Sequence, residues 1–188
     1  MSFLVETSAR HIHVPQEAVE VLFGTGYQLT KKKDLSQPGQ YACAEKVEVV
    51  GPKASLLMSI LGPTRPADQV EVSFTDARAL GITAPVRESG DIAGTPGITL
   101  KVGENTYEMK EGVIVAKRHI HLTPAAAAEF GVQDKQIVKV KVSGTGRATI
   151  FDDVVIRVKD SFAPAMHIDT DECNAAAAFG TVEGEIIA

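Results

Sequence analysis

The sequence predicts a mainly β protein made of two related units. Three observations carry that reading. Short segments of alternating apolar and polar residues recur along the chain. Glycine and proline are frequent, at 16 and 9 of 188 residues. One motif occurs twice, as Arg10-His11-Ile12-His13 and Arg118-His119-Ile120-His121. Alternation marks a half-buried strand, because successive side chains point to opposite faces of a sheet. Frequent turn residues favour short strands over long helices.

The alternating segments are 46–50, 69–74, 98–102, 136–142 and 148–158. Met166-His167-Ile168-Asp169 adds another. Two short helices are expected. The first spans 15–23, opening with Pro15 and stopping at Gly24. The second has Thr123 as N-cap, Pro124 at its first position and Gly131 just past its end. Each helix follows a copy of the Arg-His-Ile-His motif and ends in Phe-Gly, so strand, helix and stop repeat together. The polar, glycine-rich stretch near 25–44 reads as an excursion from the first unit.

Composition excludes several classes. Hydrophobic residues make up 44% and charged residues 23%, the balance of an ordinary globular protein rather than a disordered, fibrous or coiled-coil one. No apolar run reaches the roughly 18 residues of a membrane span. Trp is absent, so Val, Ile, Leu and Ala must fill the core. A net charge of −5 argues against a nucleic-acid partner. The dense basic run Lys31-Lys32-Lys33 reads as a solvated turn. Cys43 and Cys173 carry no motif. The stretch from Met1 to Thr7 is too short for a secretory leader, so both read as reduced structural thiols of a cytoplasmic protein.

The chemistry points to histidine. Four of the five histidines lie in the two His-x-His pairs. Residues i and i+2 of a strand share a face. His11 and His13 then point together, as do His119 and His121, and each pair offers two imidazoles to one metal ion. A catalytic zinc site takes three protein ligands, so two ions need about two more. His167 completes one set. The other needs a carboxylate, and Glu71, Asp76, Asp91, Asp169 and Asp171 are all open. Alternation alone reads Glu71 as a solvent-facing strand residue and Asp169 as a partner that orients His167. The turn 61–66 presents Arg65, and the turn 89–97 is rich in glycine. Arg and free backbone N–H groups suit a phosphate or an acyl oxyanion.

Six stretches then take on a common meaning. They are Ser8-Ala9-Arg10-His11-Ile12-His13, Leu61-Gly62-Pro63-Thr64-Arg65, Gln69-Val70-Glu71-Val72-Ser73, Ala84-Pro85-Val86-Arg87 with Ser89-Gly90-Asp91, Arg118-His119-Ile120-His121, and His167-Ile168-Asp169-Thr170-Asp171-Glu172 with Asn174-Ala175-Ala176. In this order and spacing the chain resembles the PduL-type phosphate propanoyltransferases over nearly its whole length. The resemblance implies a phosphotransacylase that interconverts acyl-CoA plus phosphate with acyl phosphate plus coenzyme A. The acyl group is propanoyl or acetyl. It implies two β-barrels capped by short helices, one from 1–9 with 117–188 and the other from 10–116, and a homodimer. It also implies two Zn²⁺ per chain. His11, His13 and Glu71 match one site, and His119, His121 and His167 match the other. Arg65 matches the phosphate-binding arginine, with Ser89 and Arg157 as further phosphate contacts. Thr7, Ser8, Ala9, Ser59 and Asn174 match the CoA-contacting positions, although Ser59 stands where the family pattern has arginine. Arg65, Glu71, His121 and His167 are the expected catalytic set. Family members that enter bacterial microcompartments carry an N-terminal extension. The motif here begins at Ser8, which implies either a cytoplasmic member or a chain trimmed of an extension that would meet shell or core proteins. The competing enzymatic reading is a zinc-dependent acyl-CoA hydrolase, which would release CoA without phosphate. The non-enzymatic one is a β protein stapled by its metals.

Overall fold

The computed structural model describes residues 1–8, 10–143 and 146–187. The chain begins with β1 (Phe3–Thr7), β2 (His11–His13), α1 (Gln16–Phe23), β3 (Lys31–Asp34), β4 (Tyr41–Val50), β5 (Ser55–Gly62) and β6 (Gln69–Glu71). It continues through α2 (Phe74–Leu80), β7 (Val86–Arg87), β8 (Ile98–Val102), β9 (Asn105–Met109) and β10 (Val113–Ala116). The last part holds β11 (His119–Leu122), α3 (Pro124–Phe130), β12 (Ile137–Val142), β13 (Thr149–Val158), β14 (Ala165–Ile168), α4 (Thr170–Ala176) and β15 (Val182–Ile187). The mainly β reading holds.

These elements form two compact units. One comprises Met1–Ala9, Ser36–Pro38 and Lys117–Ala188; the other comprises Arg10–Leu35 and Gly39–Ala116. In the first, six strands close into a barrel in the order β1-β14-β11-β13-β12-β15. Alternation builds it. Val138, Val140 and Val142 of β12 point inward while Ile137, Lys139 and Lys141 face solvent. Ile120, Leu122, Val154, Ile156 and Met166 fill the same interior. Gly184 of β15 has no substitute there, since a Cβ would stand 2.7 Å from the Phe3 ring and 2.9 Å from Val5.

In the second unit the sheet runs β7-β10-β6-β2-β5-β4-β8-β9, with β3 on β4, and curls into a half-barrel without closing. Ile12, Val47, Val49, Met58, Ile60, Val70 and Leu100 line its core, and Leu22 of α1 and Leu80 of α2 pack over it. Full burial of each such side chain contributes about 1.5–3 kcal/mol before the entropy of ordering is charged against it.

Three local differences from the sequence reading have physical causes. The strand read over 69–74 stops at Glu71 because Ser73 caps a helix. Asp76 N donates to Ser73 Oγ, and Ser73 N donates to Asp76 Oδ2, both at 3.2 Å. The lysine run is an exposed strand, not a turn: Lys31 pairs with Cys43 and Lys33 with Ala42. A lysine-rich strand on a sheet edge discourages pairing with other chains. Besides the two helices read from the sequence, the fold has α2 and α4, each opened by a capping box.

Candidate active site

The two His-x-His strands sit in matching surroundings. β2 lies between β5, parallel to it, and β6, antiparallel. β11 lies between β13, parallel, and β14, antiparallel. In register, His11 opposes Glu71 and His119 opposes His167. Opposed residues on neighbouring strands share a face. Ile12 and Ile120 point into the cores, so alternation turns the histidines to the other side.

Two clusters result, His11 with His13 and Glu71, and His119 with His121 and His167. Within each, one ligand atom per residue lies within 4.8 Å of the others. Among the described residues these are the groups of three or more that converge in this way. The other candidate carboxylates have different duties. Asp76 caps α2 and pairs with Arg10 at 2.8 Å. Asp91 lies 3.7 Å from Arg87 near the surface. Asp169 accepts from Glu172 N at 2.9 Å as the N-cap of α4. Asp171 lies in the first turn of α4.

Hydrogen bonds fix which ring nitrogens are presented. His13 Nδ1 donates to Leu61 O at 3.2 Å, and His119 Nδ1 donates to Lys117 O at 2.8 Å. In both, Nε2 is then the nitrogen that could face a metal. His167 Nε2 is buried with no hydrogen-bond partner. Gln69 organises the other cluster. Its Nε2 donates to Glu71 Oε1 at 2.6 Å and to Ser89 Oγ at 2.8 Å, and Gly90 N donates to its Oε1 at 2.7 Å.

The electrostatics suit cation binding. Burial pushes the Glu71 carboxyl up, but the adjacent His11 imidazole, with His13 and a hydrogen bond from Ser89, outweighs it and holds the group well below the usual carboxylate range. Burial, with the charges of His11 and Arg65, pushes His13 down to about 3. Glu71 is therefore ionised and His13 neutral at pH 7, the forms that bind a metal. Three imidazoles, or two with a carboxylate, are zinc donor sets. The residues fit the group.

The remaining expected residues fall in several places. Arg65 is half-buried, its N donates to Val14 O at 3.0 Å, and its charge is felt by His13. Ser89 reaches the Glu71 cluster through Gln69. Ser59 opposes His11 from β5. Arg157 opposes His121 from β13. Thr7 opposes Ile168, and Ser8 N donates to Ile168 O at 2.8 Å. Ala9 lies outside the described residues. Asn174 is exposed on α4. A cleft of about 490 Å³ is lined by Glu6, Thr7, Cys173, Phe179 and Thr181, among others.

Sequence reasoning missed Phe162, whose ring lies 4.3 Å from that of His121 and 5.9 Å from the Arg157 guanidinium. Nothing in its local sequence marks it. It also gave Gln69 no role, although Gln69 stands two residues before Glu71 and so shares its face.

Residues 4–179, which contain both clusters, match the family model of phosphate propanoyltransferase. The chain belongs to this family. A phosphate propanoyltransferase of Listeria monocytogenes is 55% identical over 184 residues, which cover 97% of this chain and 86% of the relative. One from Enterococcus faecalis is 57% identical over 175 residues, covering 93% and 82%. One from Thermotoga maritima is 54% identical over 175 residues, covering 92% and 83%. Phosphate propanoyltransferases are phosphate acyltransferases, and the chain is an enzyme of that class. Among the described residues no helix is long and apolar enough to cross a membrane.

Proposed function

We propose that this phosphate propanoyltransferase moves an acyl group between coenzyme A and inorganic phosphate, with one Zn²⁺ in each histidine cluster. The observation that carries the reading is the repeated cluster: two three-ligand sets at matching strand positions, in a chain of this family. Three protein ligands leave a position open, as in catalytic rather than structural zinc sites.

In the forward direction a phosphate oxygen attacks the thioester carbonyl carbon. The new C–O bond replaces the C–S bond, and coenzyme A leaves as the thiolate. When bound, zinc supplies a Lewis acid for the developing charge on sulfur and on the carbonyl oxygen. Arg65 has the planar, permanently charged fork that grips phosphate through two donors and holds it for attack. Ser89 adds a hydroxyl on the same cluster, and Arg157 offers a second cation on the barrel. Gln69 keeps Glu71 and Ser89 aligned. Thr7, Ser8 and Asn174 provide polar groups to coenzyme A along β1 and α4, with Ser59 on β5. No serine or cysteine nucleophile is needed, which agrees with both cysteines being buried.

The test is CoA release, followed as free thiol, from propanoyl-CoA and acetyl-CoA with and without phosphate, alongside metal analysis. Release that depends on phosphate, with two zinc ions per chain, is the expected result. Release without phosphate would make the protein a hydrolase.

A further inference from the structure

We infer that Glu6 is a fourth, exchangeable protein ligand for an ion held by His119, His121 and His167. The inference rests on the two-ion reading above and makes the two sites chemically unequal.

β1 runs parallel to β14 and places Glu6 opposite His167. Glu6 Oε2 lies 3.3 Å from His167 Nε2. That nitrogen is buried and makes no hydrogen bond, so it is open to an ion that Glu6 is close enough to share. Ligands on a tetrahedral zinc with bonds of about 2.0–2.1 Å stand about 3.4 Å from one another. The other cluster supplies the internal comparison, since His11 Nε2 lies 3.4 Å from Glu71 Oε2. The Glu6–His167 separation thus matches that of Glu71 and His11, with Glu6 outside the converging trio.

The position has a counterpart in the other unit, and it differs. There β10 runs parallel to β6 and places Ile114 opposite Glu71. Ile114 is fully buried and apolar, so the His11 cluster has no fourth donor from that side. The three-histidine cluster does.

Two features make Glu6 exchangeable. It stands outside the converging trio and leans on His167, so it joins the ion by turning its own flexible side chain. Its Oε2 also accepts a hydrogen bond from Ser36 Oγ. Ser36 is held in place by its neighbour Gln37, whose side chain donates to Ala163 O at 2.9 Å and accepts from Ala163 N at 3.3 Å. Ser36 and the ion compete for one carboxylate. With Glu6 held on Ser36, the position on a bound ion would be open to an oxygen of phosphate or of the acyl group.

The experiment uses the full chain loaded with Zn²⁺ or Co²⁺, as wild type, Glu6→Gln and Ser36→Ala. Affinities are read by competition with a chromophoric chelator, and coordination by the visible absorption of Co²⁺. Circular dichroism checks folding, and Glu6→Asp serves if Glu6→Gln does not fold. The expected result is that Glu6→Gln weakens one of two ions at least about tenfold, leaves the other unchanged and alters the Co²⁺ absorption. Ser36→Ala tightens the same ion. Glutamine still accepts a hydrogen bond. Two ions held as in wild type by Glu6→Gln, with an unchanged spectrum, would therefore overturn the inference while leaving the two-ion reading intact. Fewer than two ions in the wild type would overturn that reading, and the inference with it.

Discussion

Arg118 Nη1 lies 2.8 Å from Glu172 Oε1, and the same bridge recurs in the other unit between Arg10 and Asp76 at 2.8 Å. In each case the arginine opens the Arg-His-Ile-His motif, and the acid is the third residue of a helix opened by a capping box. The capped helix follows the strand that carries the third member of the candidate metal cluster, Glu71 or His167. The motif arginine thus ties the histidine strand to the strand beside it, which sets the ligands in register. Its place in the repeat is structural.

Removing that tie has a predictable cost. Arg118→Ala leaves Glu172 mostly buried with its carboxyl already pushed up by burial. Losing a charged hydrogen bond there costs about 1.5–3 kcal/mol. Asp76 is more deeply buried than Glu172, so Arg10→Ala has a cost of the same order. Urea unfolding should show both variants less stable than the wild type. The zinc affinity of the three-histidine cluster should fall in Arg118→Ala while that of the Glu71 cluster holds. Wild-type stability in both variants would detach the bridge from the fold.

Metal removal separates a catalytic role from a structural one. Each unit has its own apolar core, built from residues such as Leu22, Ile60 and Leu100 in one and Ile120, Ile156 and Met166 in the other. Chelation should therefore abolish turnover and lower Tm while far-UV circular dichroism at 25 °C stays native. A domain stapled by its metal would unfold instead. Glu71→Ala and His121→Ala should each reduce the zinc content from two ions to one and remove activity, with the chain still folded.

Much of this arrangement was legible in the sequence, and the limits have physical reasons. The histidine pairs could be read because a strand's period of two is local, and the α3 boundaries because Thr123, Pro124 and Gly131 act over a single turn. Glu71 could not be chosen from alternation, because a strand covered on both faces looks like one with a wet side until its cover is known. β10 left no alternating pattern for the same reason: Val113, Ile114 and Val115 are all buried. Ser36 and Gln37 lie in a polar stretch that reads as loop. Their bonds to Glu6 and Ala163 span 30 and 126 residues, a separation no local pattern records.

The thiol of Cys43 sets an alkaline limit. Burial and the nearby Glu45 charge push it up to about 11. The folded state then keeps a proton that the unfolded chain releases from about pH 9 upward. The stability this proton contributes is complete below pH 9 and is lost as pH rises through 11. Urea unfolding at pH 8 and pH 10.5 should show wild type losing more stability over that interval than Cys43→Ala. The same burial protects the thiol, so alkylating reagents at pH 8 should modify Cys43 only after unfolding.

The sharpest kinetic prediction concerns Arg65. Its guanidinium lies close enough to the His11, His13 and Glu71 cluster for its charge to depress His13. Its backbone N is anchored to Val14 O, one residue past His13. A cation fixed at that point suits a phosphate anion better than a neutral thioester. Arg65→Ala should therefore raise KM for phosphate at least about tenfold, the effect of losing about 1.4 kcal/mol of binding, and change KM for acyl-CoA little. Arg65→Lys keeps the charge without the fork and should recover only part of the loss. Initial rates over a two-substrate grid give both constants at once. A parallel rise in the two would place Arg65 away from phosphate and leave Arg157 as the barrel's candidate for that contact.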